Sequence, residues 1–179
     1  MHAHEAISVK GMFRVLSVPE DRIHTPEEVA RGIRDGKIRV DYEHHNLIVN
    51  QGLQAIAKIL GGGAGAPEVG GVGVFNITDL VVNRMELGNS PSPPAPVVTD
   101  IVSVVNLVYV PQLLINYAGP YTVRFSGVVR HAELNGTTFT EEALKMTNGL
   151  VFAKVNGFSV LKQVTAAKQF DHEIVFSRV

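Results

Sequence analysis

The chain has 179 residues, 16 of them basic and 17 acidic, and a formal net charge of −1. It has no run of Lys or Arg that would build the basic stripe of a nucleic-acid binder, and no cysteine, which excludes disulfides, thiol catalysis and thiolate metal sites. Hydrophobic residues make up 45% and charged residues 18%, the latter below the usual quarter, and the mean hydropathy is +0.15. The length predicts a single β-rich domain over residues 1–179, with residues 1–6 as a mobile N-terminal arm. The opening MHAHEAISVKG lacks the apolar stretch of a signal peptide. No segment reaches the apolar length of a membrane span; the stretch from Ile101 to Ile115 comes nearest and is interrupted by Ser103, Asn106, Pro111 and Gln112.

Ile7 to Val18 reads as a strand, with Ile7, Val9, Phe13 and Val15 on one face and Lys10 and Arg14 on the other. Thr25-Pro26-Glu27-Glu28 starts a short helix: Thr25 caps it, Pro26 takes the first helical position, and Glu28 completes a capping box. Val29 and Ile33 form its apolar line, and Gly36 ends it. Lys37 to Tyr42 reads as the return strand. Asn46 to Leu60, NLIVNQGLQAIAKIL, reads as an apolar strand turning into a helix whose core face is Leu53, Ile56 and Leu60, stopped by the glycines after it. Residues 61–73 are glycine-rich and read as a flexible loop. A Walker motif would place its glycines before a helix, and these follow one.

Phe75 to Leu87 reads as a strand, and Ser90 to Pro96, SPSPPAP, as a semi-extended surface segment. Its Pro91, Pro93, Pro94 and Pro96 stiffen the segment, so docking it costs little entropy, and it is the expected inter-subunit contact. Ile101 to Val110 is β-branched without alternation, as in a strand covered on both faces. Tyr121 to Arg130 alternates, with Tyr121, Val123, Phe125 and Val129 on one face and Arg124, Ser126 and Arg130 on the other. Asn135-Gly136 and Asn148-Gly149 are hairpin turns. Leu150 to Val155 and Phe170 to Val179 are the closing strands. The fold class expected is mainly β: an antiparallel β-sandwich or barrel-like sheet with one packed α-helix and one short extra helix.

Chemistry is harder to find. His44 and His45 are adjacent, so on a strand they point to opposite faces and do not share a metal. The acids Glu27 and Glu28 suit a helix N-terminus, and Glu141 and Glu142, being adjacent, do not face each other across a cleft as glycosidase carboxylates must. Neither Ser126 nor Ser159 sits in a nucleophile elbow. No catalytic residue, metal site or cofactor is expected, and the protein is not expected to be an enzyme.

Three motifs in order carry a resemblance. They are NLIVNQGLQAIAKIL from Asn46, MELGNSPSPPAPVVTD from Met85 to Asp100, and FTEEALKMTNGLVFAKVNGF…KQFDHEIVFSRV from Phe139. The order resembles a family of small structural proteins of tailed bacteriophages, found among tail-fibre, baseplate and head-attached proteins. Their pattern is an N-L-V-x-N-x-G-L helix, a strand ending in Gly before a polar loop with an Asp, and a closing L-F-A-R/K-V strand. Against that pattern the short helix after Thr25 is an insertion between two N-terminal strands. The resemblance implies a virion building block in the tail, as a fibre-attachment, baseplate or collar component, with a capsid decoration protein as the alternative. It implies assembly in the host bacterial cytoplasm, with other copies of itself and other virion proteins as partners. The low charge points the same way, because so few charges leave apolar surface to be buried between subunits. A second class of reading is a carbohydrate-binding β-sandwich that recognises a host surface glycan, with Tyr109, Tyr117 and Tyr121 as the candidate cluster.

Overall fold

The computed structural model describes residues 7–48, 52, 53, 55, 56, 77–89, 104–106, 114–119 and 121–178. In chain order they form β1 (Ile7–Val18), α1 (Pro26–Arg34), β2 (Arg39–Ile48), a 3₁₀ turn (Ile77–Leu80), β3 (Val82–Gly88), β4 (Val104–Asn106), β5 (Leu114–Gly119), β6 (Thr122–Val129), β7 (Thr138–Met146), β8 (Val151–Leu161) and β9 (Ala167–Arg178). The registered pairings are antiparallel, so the class is mainly β as expected, with a helix packed on strands. The chain groups into two compact units. One comprises Met1–Asn46, Gln112–Thr138 and Val160–Val179, the other Leu47–Pro111 and Phe139–Ser159.

The first unit is a sheet in the order β2-β1-β9-β6-β5. Its spine is the ladder of β1 on β9, in register from Ile7↔Arg178 to Val18↔Ala167. A bulge interrupts β1 on β2: Val15 pairs with Tyr42 and Leu16 with Val40, which leaves Asp41 as the extra residue. Successive strand residues point to opposite faces, yet Phe13, Val15, Leu16 and Val18 are all buried. The strand is therefore core on both faces, where alternation predicted one. On one face Phe13 meets the rings of Tyr42, Phe170 and His172. On the other, α1 closes a cluster of Leu16, Val18, Val29, Ile38, Val128 and Ala167.

Helix α1 forms as its sequence dictates. The Thr25 hydroxyl accepts from the Glu28 N–H at 3.3 Å, and Glu28 accepts from the Thr25 N–H at 2.8 Å. Arg22 forks onto Glu28 at 2.9 and 3.0 Å. That pairing, with the Thr25 backbone bond, holds the Glu28 carboxyl down at about 2. Gly36, at φ +70, provides the left-handed stop. The buried line is Val29 with Gly32, whereas Ile33 is 43% exposed. The reason is Ile38, which lies so close to Gly32 that a Cβ there would meet its side chain at 2.6 Å. Thr25→Ala is expected to cost ~1 kcal/mol, the usual value of a lost N-cap, measurable by urea unfolding.

The second unit pairs β3 with β4 and with β7, places β8 beside β7, and adds the end of β2 to β8 through Leu47↔Lys154 and Ile48↔Ala153. Met85, Leu87, Phe139, Ala143, Leu144, Met146, Val151 and Ala153 are fully buried there. The Asn148-Gly149 turn joins β7 to β8, with Gly149 at φ +87 and the Met146 N–H donating to the Leu150 carbonyl. Asn135-Gly136 is not a tight hairpin: it lies in the longer link from β6 to β7, where the Gly136 N–H donates to the Lys162 carbonyl. The strand read from Phe75 begins only at Val82, after the 3₁₀ turn.

The expected helix face is corrected by one glycine. Gly52, Leu53, Ala55 and Ile56 are helical. Gly52 and Ala55 are buried, Ile56 is half-buried, and Leu53 is 45% exposed. A Cβ on Gly52 would sit 2.0 Å from the Phe152 carbonyl oxygen, so the helix turns its small residues onto β8 and sends Leu53 outward. Leu60 lies outside the described residues.

Candidate functional site

Cross-strand register places alternating charges side by side in the first unit. Arg14 of β1 stands opposite Glu43 of β2 and Asp171 of β9. Arg124 of β6 stands opposite Glu173 and Ser126 opposite Asp171. The side chains connect in a line. Glu43 binds Arg14, Arg14 lies 4.0 Å from Glu173, Glu173 lies 3.9 Å from Arg124, and Arg124 binds Asp171. Side-chain exposure falls along it from 44% at Glu43 to 1% at Asp171.

At the buried end both oxygens of Asp171 are hydrogen-bonded, while Arg124 Nε finds no hydrogen-bond partner among the described residues and lies 3.9 Å from Glu173. Asp171 accepts from Arg124, from the Ser126 hydroxyl at 2.7 Å and from Gln169 Nε2 at 3.0 Å. Gln169 in turn clasps the backbone of His24, accepting from its N–H at 2.7 Å and donating to its carbonyl at 3.1 Å. A buried carboxylate must recover its lost hydration from such donors. With both oxygens engaged, Asp171 holds three strand side chains and the entry to α1 in one arrangement. It is not placed to act as a base.

His24 itself is buried, and its Nε2 finds no hydrogen-bond partner among the described residues. Burial, helped by the positive charge of Arg22, pushes its pKa below the ordinary 6.5, against the pull of Glu28. The native state therefore keeps it neutral while the unfolded chain takes up a proton near 6.5. The His24 contribution is present above that value and is lost as pH falls toward the lower folded value. We expect the unfolding midpoint to drop between pH 7 and pH 5 by less in His24→Gln than in the unaltered chain, as read by thermal melts at matched salt.

The second unit also buries charge. Lys154 meets Glu141 at 3.0 Å with both side chains at most 1% exposed, and Glu86 accepts from Lys145 and Arg84, each at 3.0 Å. Glu142 is buried as well. Thus Glu141 and Glu142 are interior groups, where alternation would put one of them in solvent. Likewise Arg124 and Ser126, on the face opposite Phe125 and Val129, are each 2% exposed, and Tyr121, on the same face as Phe125 by alternation, is 69% exposed.

No family model, curated protein or solved structure matches the chain. Among the described residues no group of three or more His, Asp or Glu is placed to hold a metal, and no helix is long and apolar enough to cross a membrane. Pro91, Pro93, Pro94 and Pro96, the glycine-rich 61–73 and the N-terminal 1–6 lie outside the described residues. So does Tyr109; Tyr117 is on β5 and Tyr121 follows that strand, so these two belong to one hairpin. The charged line was missed because alternation assigns residues to a face without showing what covers that face. The available signal was complementarity: Gln169, Asp171 and Glu173 at alternate positions of one strand, Arg124 and Ser126 at alternate positions of another.

Proposed function

We propose that this protein is a structural component of a tailed-bacteriophage particle, in its tail as a fibre-attachment, baseplate or collar subunit, and that it works by assembly with copies of itself and with other virion proteins. The ordered motifs from Asn46 onward support the class. The physical observation that carries the assembly reading is where the charges are. Glu86, Arg124, Glu141, Glu142, Lys145, Lys154, Lys162, Lys168 and Asp171 are buried within the chain's own fold. A sequence already poor in charge therefore presents still less of it to solvent. Val81, Tyr121, Leu161 and Val164 are each more than 45% exposed. Surface of that composition gains from being covered by another subunit. Sedimentation of the purified chain at micromolar concentration tests this. A defined oligomer, or one formed on adding the products of neighbouring virion genes, is expected. A monomer in both cases overturns the reading.

Capsid decoration remains the alternative place in the particle, and cryo-electron microscopy of particles labelled on this subunit separates head from tail. A glycan-binding module is the second reading, favoured by the exposed ring of Tyr121, since such rings stack on the apolar faces of sugars. It predicts a glycan-array signal that Tyr121→Ala abolishes; no signal in the unaltered protein removes it.

A further inference from the structure

The first unit contains a recess of ≈ 370 Å³ at the end of the β1–β9 ladder, with Ser17, Lys37, Arg39, Gln163, Thr165 and Lys168 among its lining. Each polar side chain there can donate a hydrogen bond, and no acidic side chain lines it. The acid bonded to the lining is Asp41, the bulged residue of β2, and it is saturated from within. Its Oδ1 accepts from Arg39 at 2.8 Å. Its Oδ2 accepts from the Ser17 hydroxyl at 2.7 Å and from Lys168 at 2.5 Å. Burial opposes ionisation of Asp41, and Lys168, Ser17 and Arg39 outweigh it, holding its pKa below the ordinary value. Three cations thus line the recess, two of them bonded to one carboxylate, which leaves a surplus of two positive charges among these groups.

The surplus is available to a ligand. Lys168 is buried, spends one ammonium proton on Asp41 and one on Ser17, and has three to give. Arg39 engages Asp41 only through Nε and its side chain is 73% exposed, so its terminal nitrogens are open. Lys37 is exposed at the rim and has no side-chain partner among the described residues. The C-terminus of α1 also ends here and brings about half a negative elementary charge, well short of the surplus. Its last carbonyls are already taken, those of Arg31, Gly32 and Ile33 accepting from the N–H groups of Asp35, Gly36, Lys37 and Ile38. Val18, Pro19 and Ala166 supply an apolar wall beside the cations.

The geometry points to a binding site for a dianionic oxyanion of the phosphate class, free or as the head of a small organic phosphate whose body lies along the apolar wall. Two opposed charges match the surplus, and forked Arg and Lys donors suit phosphate oxygens. The site is independent of the role proposed for the whole chain.

The test is titration of the full ¹⁵N-labelled chain with inorganic phosphate, with sodium chloride adjusted to hold ionic strength constant. Saturable amide shifts confined to residues around Gly36, Lys37, Thr165 and Ala166 are expected. Sulfate should give the same shifts. Acetate, a monoanion, should bind about tenfold more weakly or less, as should phosphate to the Lys37→Ala/Arg39→Ala variant, which loses two charge-assisted partners. Both positions are exposed, and an unchanged melting curve will confirm that the variant folds. Ribose 5-phosphate separates the sources: tighter binding than inorganic phosphate assigns the apolar wall to an organic body, and equal binding assigns the site to the free anion. The proposal is overturned if shifts do not saturate, if acetate matches phosphate, or if the double variant binds as well as the unaltered chain.

Discussion

Asp171→Ala is expected to destabilise the fold by about 3–5 kcal/mol, the range for removing one partner of a buried ion pair. The alanine leaves Arg124 in the interior at 2% exposure, with its carboxylate gone. It also strips the acceptor from Ser126 and Gln169, and Gln169 is what fixes the chain before α1. The paired replacement Arg124→Met/Asp171→Leu should recover most of the loss, because it removes the desolvation cost together with the attraction. At the exposed end of the same line, Arg14→Ala should cost no more than ~1 kcal/mol, since its partner Glu43 is 44% exposed and water screens the pair. Urea denaturation of the four proteins measures all of this. Equal effects at Arg14 and Asp171 would show that the charges form no graded line.

Phe13→Ala is expected to cost about 3–5 kcal/mol, as for other buried aromatics. The ring is fully buried, with centroids of Tyr42, Phe170 and His172 at 6.1, 6.3 and 5.9 Å. Two of these neighbours lie on β9 and one on β2, so the cavity would open across three strands at once and collapse poorly. Phe13→Leu, which keeps most of the volume, should lose less than half as much. Tyr121→Ala, at a 69% exposed ring, should stay within about 0.5 kcal/mol.

Local chemistry was legible in the sequence wherever it is self-contained. Thr25, Pro26, Glu28 and Gly36 specify α1 through bonds within a few residues, and Asn148-Gly149 specifies its turn by the φ that glycine accepts. What could not be read depends on partners distant in sequence. Nothing within FAKV shows that Lys154 is interior; Glu141 of β7 is what pairs with it there. The rotation of the helix at Gly52 is set by a carbonyl of β8, and the burial of Gly32 by Ile38. Asp41 enters the interior only because a bulge adds one residue to β2. Periodicity records which residues share a face. It does not record whether the opposite face is also covered, and in β1, β6 and β9 it is.

The ladder of β1 on β9 also sets a schedule. Ser17 and Lys168, bonded across it, are 151 residues apart, and β9 is the strand that both β1 and β6 require as a neighbour. During synthesis β1 can pair with β2 soon after it emerges, but its other edge stays open until β9 follows and zips against it. Closing so long a loop before any contact rewards it makes folding slow, and the exposed strand is open to pairing with other nascent chains in the interval. A chain broken off before Ala167 would lose the strand that separates and joins β1 and β6, and with it the partner of Arg124.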